Sequence, residues 1–192
     1  MDMLLTGLVV FLGAHSVRIF AENWRTHTQE MLGEKVFKGA YSVLSLIGLA
    51  LIIWGFGVAR EQPVYIWSPP VGLRHAASLL TLLSFVLVAA AYVPGNAIKA
   101  RMGHPMVLGV KAWALAHLLA NGTVAHVALF GSFLVWSVLC FRAARARDRA
   151  AGVVYPAATS RGNLITVIAG LVGWAVFAFA LHGWLIGIKP FG

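Results

Sequence analysis

Charged residues are scarce in this chain. They make up 11% of its 192 residues, whereas 60% of the residues are hydrophobic. A soluble domain of this length would carry about one quarter charged residues. With a mean hydropathy of +0.83, the composition excludes an ordinary soluble enzyme and predicts one integral membrane domain over residues 1–192.

The usual protein ligands of a metal ion are also rare. The single Cys140 excludes an intrachain disulfide and a cysteine-based metal centre. Only six residues are acidic, and none of them lies in a long apolar run. Zinc and di-iron carboxylate sites are therefore disfavoured. The net charge of +9 points to membrane orientation and anionic lipid, and no nucleic-acid binding is expected.

Six apolar runs are long enough, or nearly so, to cross a bilayer. They are Leu4–Phe20, Gly39–Ala59, Leu73–Val93, Pro105–Ala120, Val124–Phe141 and Leu164–Trp184. We predict an all-α fold, a polytopic transmembrane helix bundle of about six helices. The fourth is short, and the following "NGT" at 121–123 predicts a tight hairpin. The last helix is expected over about 163–185.

Basic residues are divided unevenly between the loops. The loops after the first, third and fifth runs hold Arg25, Lys35, Lys38, Lys99, Arg101, Arg142, Arg145, Arg147, Arg149 and Arg161. The other side holds only Arg60, Arg74 and Lys189. Because basic loops stay in the cytoplasm, this predicts that both termini face outside, which in a bacterial inner membrane protein means the periplasm. The basic segment 142–161 is expected to contact anionic lipid.

Four polar groups lie inside apolar runs: His15, Arg18, Lys111 and His117. Ionisable residues in a membrane are costly and normally face the bundle interior. Arg18 and Lys111 lie near helix ends, where snorkelling explains them equally well. His104 precedes Pro105 at a helix start, which is an ordinary place for a polar residue.

His117 lies between Trp113 and Asn121, which are four residues before and after it on one helical face. Two inward histidines, His15 and His117, can act as axial ligands of haem, because haem needs only one or two such ligands and an apolar slot. Arg18 and Lys111 would then lie near its propionates. The residues alone leave open that both histidines are merely satisfied in the core.

Three segments carry a family resemblance. They are "FLGAHSVRIFAENW", "LGEKVFKGAYSVLSLIGLALIIWGFG" and "HPMVLGVKAWALAHLLANG". Over about residues 8–140 the chain resembles the NnrU family of bacterial membrane proteins, which is associated with denitrification and nitrogen-oxide metabolism. The same segments are similar to the plant and cyanobacterial zeta-carotene isomerase, a haem b protein.

The resemblance to the isomerase implies that haem b is bound and that His15 and His117 are its two axial ligands. His75 matches a further isomerase histidine more loosely. The chain departs from the isomerase at Ala114, where that enzyme has a cysteine, and in "GFGVAREQ", where it has a histidine. These departures argue against polyene isomerisation and leave haem binding intact.

Other interpretations remain open. The chain can be a non-catalytic assembly or regulatory factor for nitrite or nitric oxide reductase, or a cis-trans isomerase of a carotenoid-like polyene. A membrane methyltransferase is less favoured, because Gly103 replaces the arginine of the Arg-His-Pro motif of those enzymes. His117 lies about 18 Å along its helix and His15 about 8 Å from the same membrane side. If the two do not converge, His75, His126 and His182 are the substitute partners.

Overall fold

The computed structural model describes residues 1–191. Within this range the chain forms nine α-helices and one π-helical turn. They are α1 (Asp2–Phe20), α2 (Glu22–Leu32), α3 (Glu34–Ala59), α4 (Val71–Tyr92), α5 (Ala97–Met102), α6 (Pro105–Ala120), α7 (Val124–Ala150), α8 (Ser160–Val176), the π-helical turn (Phe177–Leu181) and α9 (His182–Ile186).

The membrane-spanning helices coincide with the apolar runs of the sequence. Five helical stretches are long and apolar enough to cross a bilayer: α1, α3, α4, α7, and α8 with its continuation to Ile186. Helix α6 is apolar but has only 16 residues. This confirms the predicted bundle of about six helices with a short fourth member. The chain is a multi-pass membrane protein.

The structure adds helices that the apolar runs do not show. Helix α2 is polar and lies between the first two spans. Helix α5 is a six-residue turn whose N-cap Asn96 accepts a hydrogen bond from the Lys99 amide at 2.8 Å. The basic stretch after Phe141 continues α7 as helix to Ala150.

Successive spans run in opposite directions between the two end faces of the bundle. On one face, Arg147 at the end of α7 donates to the Arg18 carbonyl at the end of α1, at 3.0 Å. There the Thr159 amide also bonds the Gly95 carbonyl at 2.8 Å. On the other face, which we call the terminal face, Arg60 donates to the Ile186 carbonyl at 3.1 Å. Residue Met1, the α6–α7 turn and segment 187–191 all belong to the terminal face.

A short cap orders the terminal face above the α6–α7 turn. The Ile66 amide bonds the Gly122 carbonyl at 2.7 Å, and the Val124 amide bonds the Val64 carbonyl at 2.9 Å. A side chain at residue 122 would collide with the Trp67 carbonyl. The Asn-Gly turn is therefore a tight hairpin that needs glycine because another backbone crosses it.

Glycines set the closest helix contacts. Helices α1 and α3 touch at Gly7, Gly48 and Gly55, where backbone of the neighbouring helix occupies the space of a side chain. Helix α8 packs mainly against α4, with Gly170 lying on Val86. Small residues permit this close approach in membranes, where dispersion forces rather than water exclusion hold helices together.

The interior of the bundle lies between α1, α3, α6 and α7. Its buried members are Leu4, Leu8, Ile52, Ala114, Ala125, Leu129 and Phe130. Ala114, at the position of the isomerase cysteine, is fully buried in this cluster. Large apolar side chains such as Val9, Ile53 and Leu79 are 65–73% exposed, as expected of surfaces that contact lipid.

Replacing Gly7 by alanine is expected to destabilise the bundle, because the new Cβ would lie 2.6 Å from the Ile52 amide nitrogen. Overpacking of this kind costs about 1–3 kcal/mol. Gly13→Ala on the same helix is the matched control, since that position has open space around it. Thermal unfolding in detergent measures both. Equal midpoints for the two variants would contradict this account of the α1–α3 contact.

Candidate functional site

A cavity of about 560 Å³ opens between α4, α6 and the last span, towards the terminal face. Its aromatic lining consists of Phe85, Trp113, Trp174, Phe177 and Phe191. Its polar lining includes Arg74, Ser78, Thr81, Ser84, His117, Asn121, His182 and Lys189. Apolar walls with a few convergent polar groups are typical of a small-molecule or cofactor site of this volume.

His117 lines this cavity and has one imidazole nitrogen without a hydrogen-bond partner. Its Nδ1 lies 2.8 Å from the Trp113 carbonyl oxygen, and because a carbonyl only accepts hydrogen bonds, Nδ1 carries the proton. The ring stacks on Phe130 with centroids 4.4 Å apart. Asn121 donates to the His117 carbonyl at 2.9 Å. The stripe expected from the sequence thus lines one wall of the cavity, and Nε2 of the central histidine keeps its lone pair.

His182 lines the same cavity from the last span. Its Nδ1 lies 2.6 Å from the Ile188 carbonyl oxygen, so its Nε2 also keeps a lone pair. The ring lies edge-on to Phe177, with centroids 5.8 Å apart. The cavity therefore contains two imidazoles with the same tautomer.

His15 lies outside the cavity lining. Its Nδ1 lies 2.7 Å from the Phe11 carbonyl oxygen. Its ring is packed by Phe11, Tyr41 and Trp136, at centroid distances of 4.2, 5.2 and 6.2 Å. This histidine has the same hydrogen-bond pattern as His117 but an aromatic surrounding of its own.

The structure does not bring His15 and His117 together. Between them, Phe133 of α7 contacts Phe11 beside the first histidine at 5.8 Å and Trp113 beside the second at 5.5 Å. Ligation of one iron by both histidines stays a prediction.

The two histidines also lie at different depths. His15 lies beside Trp136 and His117 beside Phe130. These two α7 residues are six positions apart, which is about 9 Å along a helix axis. The difference of level expected from the sequence is therefore present in the folded bundle.

The other site residues expected from the sequence are dispersed. Arg18 pairs with Glu22 at 3.4 Å, far from the cavity at the end of α1. Lys111 lies on the exposed side of α6, and His75 is exposed beside Arg74 on α4. Arg74 and Lys189 instead provide the positive charge at the cavity. Their spacing of 115 residues gives no sequence signal of this proximity.

His104 lies about 20 Å along α6 from His117, on the face opposite the cavity mouth. Its Nε2 lies 2.8 Å from Oδ2 of Asp148, and the Tyr155 hydroxyl donates to the same oxygen at 2.7 Å. Arg145 approaches that oxygen at 3.4 Å. This polar cluster ties the α7–α8 connection to the start of α6.

Burial and the neighbouring Asp148 carboxylate raise the pKa of Tyr155 above its ordinary value of 10.0. The phenol therefore stays protonated and donates to Asp148 at neutral pH. Because its pKa is higher in the folded state, the stability it contributes is fully present below pH 10. That contribution is lost as the pH rises through the folded-state pKa.

Tyr155→Phe is expected to lower the midpoint of thermal unfolding slightly at pH 7, because it removes the donor to Asp148. The difference from the unmodified chain should shrink as the pH rises above 10. Tyr92→Phe is the control, since Tyr92 is exposed. A difference between variant and unmodified chain that is the same at pH 7 and above pH 10 would contradict this reading of the cluster.

Within residues 1–191, no group of three or more His, Cys, Asp or Glu side chains is arranged to hold a metal ion. A porphyrin brings most of its own ligands to the metal and needs only axial side chains from the protein. The imidazoles at the cavity meet that smaller requirement.

One known protein family matches this chain. A family profile described as "NnrU protein" matches residues 3–190, which extends well beyond the stretch over which the resemblance was evident. No curated protein and no solved structure matches the chain. Because the profile covers essentially the whole chain, this protein belongs to the NnrU family.

Proposed function

We propose that this protein binds haem b in the cavity between α4, α6 and the last span, with His117 as an axial ligand. The observation that carries the proposal is the free Nε2 of His117 at an apolar cavity of about 560 Å³. Ligands of haem and of other metals commonly hold their second ring nitrogen on a backbone carbonyl, as His117 does.

The lining of the cavity suits a flat apolar macrocycle. Aromatic side chains from α4, α6 and the last span face the space: Phe85, Trp113, Trp174 and Phe177. Such walls exclude water from a bound ring and hold it by dispersion and ring contacts. Trp113 has a second role, since its carbonyl orients the His117 imidazole.

The charges at the cavity suit the acid groups of haem. Arg74 and Lys189 line it near the terminal face, where carboxylates can also reach water. In this proposal they replace Arg18 and Lys111, the cations expected from the sequence. Both expected cations lie outside the cavity lining.

Bound haem supplies one-electron chemistry and an iron that can bind small molecules such as nitric oxide. The chain holds the cofactor through His117, shields it with apolar walls and compensates its acid groups. The family's association with nitrogen-oxide metabolism favours a redox or sensing role there over polyene isomerisation.

We also propose the orientation expected from the charges. The protein lies in the bacterial inner membrane, with the terminal face and the cavity mouth towards the periplasm. The basic residues at the end of α7 and in the following connection then contact anionic headgroups in the cytoplasmic leaflet. Denitrification enzymes are the candidate partners.

The absorption spectrum of the purified protein tests the proposal. After expression with sufficient haem, a Soret band is expected in the unmodified chain. His117→Ala should lose most of it, because the axial ligand is removed. His27→Ala is the matched control, since His27 is exposed on α2 and should keep the band.

A purified protein without a Soret band would rule out the cofactor. It would leave the assembly or regulatory role, in which His117→Ala supports denitrifying growth as well as the unmodified chain does. Full haem retention in His117→Ala would show that the iron is held elsewhere.

Replacing Lys189 by methionine should lower the reduction potential of the bound haem, because a nearby positive charge favours the reduced form. Lys111→Met is the paired control and should leave the potential unchanged, since Lys111 lies on the exposed side of α6. Redox titration followed by absorption measures both. A shift of the reduction potential with Lys111→Met and none with Lys189→Met would mean that Lys111, the cation expected from the sequence, lies near the propionates.

A further inference from the structure

We infer that His182 is the second axial ligand, and that the π-helical turn of the last span places it at the same cavity as His117. This inference rests on the proposed function and names the second protein ligand at the same site. Both histidines line one cavity, although they come from helices that are far apart in the sequence.

The two imidazoles are held by the same kind of hydrogen bond. His117 is held through Nδ1 by the Trp113 carbonyl at 2.8 Å, and His182 by the Ile188 carbonyl at 2.6 Å. Each bond fixes the ring and leaves Nε2 as the only lone pair available to a metal. Two neutral imidazoles of this kind would supply both axial ligands that a six-coordinate haem needs.

The π-helical turn puts His182 at the cavity. In an α-helix, a residue five positions further on lies about 140° around the axis. Here the His182 amide bonds the Phe177 carbonyl, which is an i to i+5 bond. Phe177 and His182 therefore lie on one face, and both line the cavity. Single π turns of this kind recur at functional sites.

Segment 187–191 completes the support of His182. Gly187 has a φ of +78°, which turns the chain back after α9 and brings the Ile188 carbonyl to the imidazole. Phe191 then stacks on Phe179 with ring centroids 5.1 Å apart. The segment thus fixes the ring from behind and closes part of the cavity.

The other candidate histidines are engaged differently. His126 bonds the Thr123 hydroxyl at 2.6 Å through Nδ1 and lies edge-on to Phe56. It does not line the cavity. His15 also lies outside the cavity lining and is packed by Phe11, Tyr41 and Trp136. His182 is therefore the histidine that shares the cavity with His117.

The spin state of the ferric protein tests this assignment. Electron paramagnetic resonance of the unmodified protein should show low-spin iron, as expected of two imidazole ligands. His182→Ala should convert it to high-spin iron and retain the Soret band, because His117 still holds the cofactor. Added imidazole should restore the low-spin signal. His15→Ala and His126→Ala should stay low-spin.

Insertion of one alanine after Ala180 gives a second, independent measurement. One more residue between Phe177 and His182 should turn His182 about 100° away from the cavity, with the imidazole itself still present. High-spin iron in this variant would support the placement of His182, and low-spin iron would contradict it. Deletion of Ala180 is the control, because it puts His182 four residues after Phe177 in an ordinary α-helix, on the same face, and should keep low-spin iron. Far-ultraviolet circular dichroism checks that the helices are retained.

Three results would overturn the inference, and they are distinguishable from failure of the proposed function. Low-spin iron that persists in His182→Ala contradicts it, and high-spin iron in His15→Ala assigns the second ligand to α1 instead. High-spin iron in the unmodified protein means that there is no second imidazole. A protein that binds no haem at all would remove the proposed function and this inference together.

Discussion

An imidazole surrounded by hydrocarbon must satisfy its N–H group without water, and this constraint shapes the interior of the protein. His15 and His117 solve it identically, each through the backbone carbonyl four residues earlier in its own helix. An unsatisfied donor there would cost several kcal/mol. The solution has a chemical result, because it fixes the tautomer and directs the basic nitrogen away from the helix that carries it.

Most of the fold could be predicted from apolar runs alone. Runs without charge must span the bilayer as helices, since only a helix satisfies its own backbone there. Helix α2 was not predicted, because "ENWRTHTQEML" is polar and is not an apolar run. The extension of α7 to Ala150 was also hidden, because a solvated basic helix and a basic loop have the same composition. The Asn-Gly hairpin was visible, since this dipeptide commonly marks a turn. The reason for glycine at 122 was hidden, because it is the crossing Trp67 carbonyl.

The candidate site was predictable only where it depends on one helix. The spacing of Trp113, His117 and Asn121 places them on one face, and they do line a common wall. Convergence of different helices depends on packing distances that spacing does not encode, so the positions of His15 and Lys189 relative to the cavity could not be derived. The π-helical turn is equally hidden in "FAFAL", whose residues suit an ordinary α-helix.

The attachment of the last span affects how a ligand could enter the cavity. Within the described residues, α8 packs mainly against α4, so tight helix packing does not close the gap between α6 and the last span. An apolar ligand dissolved in the bilayer would reach the cavity through this gap without passing through water. Partitioning of the ligand into the adjoining leaflet, rather than its concentration in water, would then set the occupancy of the cavity.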